Sequence, residues 1–232
     1  MVFGFMGGIE EPAFSISLDR HEATLPYEIR EYGTRYAIET YYEESSQSNA
    51  FMTLAGYIGV GSAPKNDGGR SIAMTAPVSM QSSGGQKIAM TAPVAMYDAG
   101  GSGSASRKKM QFVLPSSFDS MDKIPKPLDP NVRVVEVPPS RGAVYRYSGR
   151  SGGEHARGQA TRLVDQLRAD GLTDFDSKRA IDTHQFWGYN PPFTLPPLRR
   201  NEVFVELSEE NVETLKKIFG QRKVTSRSCS KR

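Results

Sequence analysis

The chain has 232 residues, a formal net charge of +3, and ordinary fractions of hydrophobic (38%) and charged (24%) residues. These values are typical of one globular domain with a tail or of two small lobes. No run approaches the ~20 apolar residues of a membrane span, and the single cysteine, Cys229, excludes an internal disulfide and a cysteine-rich metal site.

The opening segment, MVFGFMGGIEEP, has no basic leader and no cleavage pattern. We therefore expect no signal peptide, and the lone cysteine fits a reducing compartment. The predicted location is the cytoplasm, with the chloroplast as the alternative, and we expect no stable membrane insertion.

The first half of the chain predicts a strand followed by a helix. Tyr27–Tyr42 alternates and is rich in residues that favour extended backbone, so it predicts one strand. The segment Asn49–Gly59 predicts a helix with Asn49 or Ser48 as its N-cap. Its apolar stripe, at i, i+3, i+4 and i+7, consists of Phe51, Leu54, Ala55 and Ile58.

An apolar phrase then occurs twice, as SIAMTAPVSM at Ser71–Met80 and as KIAMTAPVAM at Lys87–Met96. Eight of the ten paired positions are identical, which predicts two short strands joined as a hairpin. Proline cannot donate to a sheet ladder, so each strand is expected to stop or bulge at its proline, Pro77 or Pro93. A glycine-rich loop over 98–106 and a strand over Lys108–Leu114 follow.

The second half restates this order after a proline-rich linker. Strands are predicted at Val132–Val137 and Ala143–Tyr147, a helix at Glu154–Asp170, and two last strands around His184–Tyr189 and Glu202–Leu207. The pattern predicts an α+β fold made of duplicated β-α-β-β units, about 24–114 and 130–207. These units would form a distorted antiparallel β-barrel flanked by two helices.

Residues 1–207 are thus the predicted domain, and 208–232 a short helix with a basic tail. Ser208 is the predicted N-cap, with acids in the first turn and lysines in the last. Lys216–Arg232 carries seven basic and no acidic residues, and the part beyond the helix, residues 220–232, is expected to be disordered. Because it lacks interleaved aromatic residues, no nucleic-acid partner is expected, although contact with an anionic surface stays open.

Several phrases together resemble the SOUL haem-binding protein family, and the plant and green-algal cytosolic members in particular. They are the doubled IAMTAPV, YEIREY at 27–32, YIGV at 57–60, KMQFVLP at 109–115 and GYNPPFTLPPLRRNEV at 188–203. The resemblance runs to about Leu207. It implies a distorted barrel of two similar halves that reversibly binds haem and related tetrapyrroles, as a carrier or buffer rather than an enzyme. It also implies an apolar cleft along the first helix and basic residues for the propionates.

The expected ligand is therefore a tetrapyrrole, held in an apolar groove with a few polar anchors. The candidate binding residues are Phe51, Met52, Ala55, Tyr57, Ile58, Met74, Met90, Lys87, Arg146, Tyr189, Phe193 and Arg200. Lys65 and Arg199 are further candidates for the propionates, and Trp187 could join Tyr189 and Phe193 in a second wall. For most of these residues an ordinary place in the core or on the surface is the competing interpretation.

Axial ligation is not expected, because none of the three histidines, His21, His155 and His184, lies in a motif that places it on the cleft. Binding would then depend on burial, and metal-free porphyrins would bind about as well as haem. Two alternatives stay open. One is a small-molecule hydrolase of the effector-binding-domain type, with Glu39 and Glu136 as its acids; the other is a protein-interaction module.

Overall fold

The computed structural model describes residues 10–43, 46–82, 108–150, 153–190 and 194–220. Within them, nine strands form one antiparallel sheet. In chain order the strands are β1 (Phe14–Arg20), β2 (Tyr27–Tyr32), β3 (Arg35–Tyr42), β4 (Val78–Ser82), β5 (Lys108–Val113), β6 (Arg133–Val137), β7 (Ser140–Tyr147), β8 (Gln185–Gly188) and β9 (Asn201–Glu206). The α-helices are α1 (Gln47–Ile58), α2 (Gly153–Ala169), α3 (Ser177–Asp182) and α4 (Glu209–Phe219).

The strand order, β1-β2-β7-β9-β8-β4-β5-β3-β6, shows the predicted duplication. After β1, each half contributes two strands, a long helix and two strands, and the second half adds the short helix α3 before its last two strands. The three-strand groups β3-β5-β4 and β7-β9-β8 meet where β4 pairs with β8, and the first strand of each half crosses over to pair in the other half. The α+β class and the duplicated antiparallel architecture are therefore confirmed.

The prediction of one strand over Tyr27–Tyr42 is wrong, because the chain breaks at Gly33-Thr34 into β2 and β3. These two strands lie six positions apart in the sheet, a distance of about 29 Å if the sheet were flat. The two-residue link spans at most about 11 Å. The sheet must therefore curl until its two ends approach each other, although β1 and β6 remain its unpaired edges within the described residues.

The two long helices cover the convex face of this curled sheet, α1 against β3 and β5, and α2 against β7 and β9. The predicted stripe of α2 is confirmed, since all its members are buried: Ala156, Ala160, Leu163, Val164 and Leu167. Helix α1 begins earlier than predicted, with Ser46 as its N-cap. The Ser46 hydroxyl donates to the carbonyl of Glu43 at 2.9 Å, which turns the chain out of β3 before the helix begins.

The first copy of the doubled phrase differs from its prediction, because β4 begins after Pro77 instead of ending there. Its earlier residues are held individually: the Ile72 amide donates to the Ile58 carbonyl at 3.0 Å, and the Thr75 hydroxyl donates to the Val113 carbonyl. β4 is paired on both sides, by β5 and β8. A hairpin in which Val78–Ser82 pairs with the second copy is therefore excluded; that copy itself, including Pro93, lies outside the described residues.

Helix α4 has the predicted cap, since the Ser208 hydroxyl accepts from the Asn211 amide at 3.1 Å. Val212 and Leu215 of this helix are buried in the same core as α2. Strand β1 and the short helix α3 had not been predicted. In the part of the chain that the structure describes, no helix is long and apolar enough to span a membrane.

Candidate functional site

The candidate binding residues on helix α1 are partly buried in the core and partly exposed. Ala55, Tyr57 and Ile58 belong to the core between α1 and the sheet, and Tyr57 is only 1% exposed. The Tyr57 hydroxyl donates to the Pro125 carbonyl at 2.6 Å, and burial raises the pKa of this phenol to about 12. Phe51 is half-buried and packs edge-on against Phe112, with ring centroids 5.3 Å apart.

The outer side of α1 carries an exposed apolar surface. Met52 is 62% exposed, and Gly56, one turn further along, is covered by the stem of Lys65, whose Cδ lies 3.5 Å from the position that a Cβ would occupy there. The Lys65 amide donates to the Gly56 carbonyl, and the Lys65 carbonyl accepts from Leu128, which is 68% exposed. We call Met52, Gly56, Val60, Lys65 and Leu128 the α1 shoulder.

This shoulder combines exposed apolar side chains with a cation next to them. Helix α1 contains no Asp, Glu, Lys or Arg, so an apolar ligand that docks there removes no charge of the helix from water. Met74, another candidate, is half-buried and packs against the core beneath α1 rather than on the shoulder. Three further candidates, Met90, Lys87 and Phe193, lie outside the described residues.

The remaining candidates lie in the second half, away from α1. Arg146 and Arg200 line a groove of about 510 Å³, which we call the arginine groove. Arg30 and Arg199 also line it, and His21 lies at its wall. The structure thus brings together three of the predicted propionate cations, Arg146, Arg199 and Arg200, but in a place separate from the α1 shoulder.

Beside this groove a buried carboxylate organises several polar side chains. Glu202 is 0% exposed; it accepts from Arg30 Nη1 at 2.9 Å, from Arg200 Nη2 at 3.0 Å and from the Tyr189 hydroxyl at 2.6 Å. Burial alone would raise the pKa of Glu202, but the charges of Arg30 and Arg200 and the bond from Tyr189 outweigh it and hold the pKa below its usual range. Arg200 and Tyr189 are thereby fixed in place as structural partners of Glu202.

The concave face of the sheet lines a partly open cavity of about 370 Å³, which we call the lumen cavity. Trp187, Tyr32 and Phe14 form its aromatic wall, and Trp187 is only 5% exposed. Trp187 stacks on Phe204 with ring centroids 4.9 Å apart, while Tyr32 meets it edge-on at 5.4 Å. Trp187 and Tyr189, predicted to share a wall, both line this cavity.

Two charged residues of β3 also face the lumen cavity, Arg35 and Glu39. Glu39 is buried, accepts from Gln111 Nε2 at 2.8 Å and lies 3.8 Å from the Lys109 ammonium. Arg35 Nη2 donates to the Ser140 hydroxyl at 2.8 Å, and its guanidinium lies 4.7 Å over the Tyr32 ring. Sequence reasoning missed Arg35; the only signal was its place, four residues before Glu39, on the same face of an alternating strand.

None of the three histidines belongs to the α1 shoulder. His21 is exposed, with Nδ1 3.5 Å from Asp19 and 3.3 Å from Glu22. His155 lies on α2 beside the Tyr147 ring, and His184 is buried with its Nδ1 2.6 Å from the Ile181 carbonyl. Burial lowers the pKa of His184. Within the described residues, no group of three or more His, Cys, Asp or Glu side chains is arranged to hold a metal ion.

A curled antiparallel sheet with one long helix on each half, a cavity on its concave face and an exposed uncharged helix face defines a duplicated α+β domain with space for small molecules. The family model described as SOUL heme-binding protein matches residues 9–206, and the chain belongs to that family. The search of curated proteins gave no match.

Solved structures with similar folds share little sequence with this chain. The EcmrR C-terminal domain is 10% identical, with a TM-score of 0.48, and the match covers 80% of this chain and 98% of that one. A hydrolase from Listeria innocua is 11% identical, with a TM-score of 0.48 and coverage of 78% and 91%. SAV2435 bound to tetraphenylphosphonium is 9% identical, with a TM-score of 0.35 and coverage of 79% and 94%.

Proposed function

We propose that this protein reversibly binds haem and related tetrapyrroles, as a carrier or buffer, with the flat ring against the α1 shoulder. The family supports the ligand class, since the SOUL heme-binding model covers residues 9–206. The binding position on the α1 shoulder is supported by the exposure of Met52 on a helix without charged residues. We also propose that the nearest relatives within the family are the plant and green-algal members.

A tetrapyrrole presents a broad apolar face and, in haem, two carboxylates on one edge. The shoulder offers a matching arrangement, with Met52, Val60 and Leu128 for the ring and Lys65 for a carboxylate. Methionine suits such a surface because its flexible, polarisable side chain adapts to the ligand. A lysine ammonium interacts with a propionate through a charge-assisted hydrogen bond.

In this proposal the protein supplies no axial ligand, since none of His21, His155 and His184 belongs to the α1 shoulder. Burial of the ring then dominates the affinity, and iron contributes little to it. Haemin and protoporphyrin IX should therefore bind with similar affinities. A preference for haemin of 100-fold or more would contradict this part of the proposal.

The test is a titration of the purified chain with haemin and with protoporphyrin IX, followed by the shift of the Soret band. We expect Met52→Glu to weaken both ligands at least tenfold, because it places a carboxylate where the ring must lie. Ile218→Glu is the matched control, since Ile218 is an exposed apolar residue on α4, in the other half. Absence of binding at tens of micromolar would refute the tetrapyrrole proposal itself.

The arginine groove is the rival position for the same ligand, because Arg146 and Arg200 line it together with His21. The double variant His21→Ala/Arg146→Ala separates the two positions. We expect it to bind haemin like the unmodified chain. Loss of binding in this variant, with Met52→Glu unaffected, would move the ligand to the groove.

The proposal also includes binding without chemical turnover, in the cytoplasm or, alternatively, the chloroplast. Chromatography of protoporphyrin IX after prolonged incubation with the protein tests the first point, and the ligand should be recovered unchanged. A consumed ligand would favour the enzyme alternative, in which Glu39 in the lumen cavity would be the first residue to replace.

A further inference from the structure

The lumen cavity lies on the concave face of the sheet, whereas the α1 shoulder lies on the convex side. Its residues come from both halves of the chain, including Ser79 of β4, Gln111 of β5 and Trp187 of β8. Its volume, about 370 Å³, is near the lower end of the ~300–1,000 Å³ typical of ligand pockets. It therefore suits a ligand of one or two fused rings better than a macrocycle.

The wall of the cavity favours a flat aromatic ligand. Trp187 and Tyr32 line the space and meet edge-on, and the stacking of Trp187 on Phe204 holds it in position. The Trp187 indole N–H donates to Gln185 Oε1 at 3.1 Å, which fixes the ring further. Rigid aromatic walls of this kind bind planar ligands through stacking and edge-to-face contacts without a large loss of side-chain entropy.

Arg35 indicates the charge of that ligand. Within the described residues its guanidinium has no carboxylate partner; it has one hydrogen bond, to Ser140, and the Tyr32 ring. Its Nε is buried without a hydrogen-bond acceptor. An incompletely satisfied, partly buried guanidinium is costly unless another group completes it, and a carboxylate matches its planar fork.

The acids around the cavity do not fill this role for Arg35. Glu11 pairs with Arg200 at 2.7 Å, and Glu39 is held by Gln111 and Lys109. Glu136 and Glu206 are exposed, where water screens their charges. The incompletely satisfied guanidinium of Arg35 therefore favours an anionic ligand, although several acids line the cavity. A cationic ligand is the alternative that the test must exclude.

We propose that the lumen cavity is a second ligand site, specific for a planar aromatic carboxylate whose carboxylate contacts Arg35 and whose ring contacts Trp187. Tyr32 connects the two positions, since Arg35 lies 4.7 Å over its ring and Trp187 lies 5.4 Å from it. 2-Naphthoate combines a carboxylate with two fused aromatic rings and is therefore the probe for both contacts. The site is independent of tetrapyrrole binding at the α1 shoulder.

Three naphthalene probes of one shape test the charge requirement on the unmodified chain. Calorimetric titration should show binding of 2-naphthoate, binding of neutral 2-naphthol at least tenfold weaker, and no competition by the 2-naphthyl-trimethylammonium ion. Trp187 is the only tryptophan, so its indole N–H gives one resonance, which naphthoate should shift. Equal affinities for naphthoate and naphthol, tighter binding of the cation, or an unmoved indole resonance would overturn the proposal.

Substitutions then locate the carboxylate. Arg35→Ala should weaken naphthoate at least tenfold while leaving naphthol unchanged, and Arg35→Lys should recover part of the loss. Arg162→Ala, at an exposed arginine of α2, is the matched control. If Arg35→Ala does not fold, the comparison of the three probes on the unmodified chain still decides the question.

Haemin separates this proposal from the preceding one. Arg35→Ala should bind haemin normally, Met52→Glu should bind naphthoate normally, and haemin should not displace naphthoate. Competitive displacement would mean that both ligands use one site, which would overturn the second site. Naphthoate binding without haemin binding would instead refute the tetrapyrrole proposal alone.

Discussion

Removal of the Glu202 side chain should destabilise the fold more than any exposed substitution. Within the described residues, Glu202→Ala leaves the buried guanidinium of Arg30 with Glu28 as its only carboxylate partner and removes one from Arg200. Breaking a buried ion pair on one side costs about 3–5 kcal/mol. In a domain of this size each kcal/mol corresponds to about 2–4 °C in Tm, so we expect Tm to fall by about 6–20 °C.

The assay is urea and thermal unfolding followed by circular dichroism, with Glu206→Ala as the control. Glu206 lies on the same strand but is exposed, and its replacement should change the free energy of unfolding by less than about 0.5 kcal/mol. If Glu202→Ala were as mild as Glu206→Ala, the buried network would not stabilise the fold, and the reasoning from burial and charge would fail.

The lowered pKa of Glu202 also predicts how the free energy of unfolding changes at acidic pH. The folded state holds the pKa of Glu202 below its unfolded value of about 4.3. Its stabilising contribution is therefore complete above that pH and is lost as the pH falls through the folded pKa. Glu202→Gln should be less stable near neutral pH and should lose less stability on acidification; a parallel acid limb in both proteins would contradict this.

Two further substitutions test the region around α1. Gly59→Ala should lower the free energy of unfolding by more than about 1 kcal/mol, because Gly59 has φ +87° and a Cβ there would lie 2.6 Å from Pro64 Cγ. The control, Gly158→Ala on the open face of α2, should raise the free energy of unfolding by about 0.5–1 kcal/mol. Urea unfolding that gave both changes the same sign would contradict this prediction. Tyr57→Phe should cost about 1 kcal/mol near neutral pH through the lost bond to Pro125. Because the folded pKa of Tyr57 is about 12, its contribution is present below the unfolded value of about 10 and lost between the two, so the variant should have a flatter alkaline limb; an unchanged limb would refute this.

The helices could be predicted because their signals are local. The five buried positions of α2 repeat at helical spacing, and Ser208 precedes α4 with acids in its first turn. The start of α1 was less certain because several polar residues precede it, and only the contact of Ser46 with Glu43 selects one of them. The duplication was also visible, since the order of elements repeats.

The strand boundaries depended on tertiary contacts and were harder to predict. Tyr27–Tyr42 alternates on both sides of Gly33, so its periodicity gives no sign that the two parts pair with different partners. In β1 the register shifts between Ile16 and Leu18, a bulge that weakens the alternation of a short strand. The lumen cavity could not be predicted at all, because β3 and β8 approach each other only through the curl of the sheet.

The duplicated fold gives the chain two helices in equivalent places, and their different surfaces explain why only one suits an apolar ligand. The exposed side of α2 carries Arg157, Arg162, Asp165 and Arg168, so a ring docked there would remove charges from water at a large cost. Helix α1 carries no charged side chain and exposes Met52. The concave face belongs to neither helix, since strands from both halves build its wall. If both proposals hold, one sheet separates the α1 shoulder, with its large flat ligand, from the lumen cavity, with its small one, and replacements at Met52 and Arg35 should affect the two ligands independently.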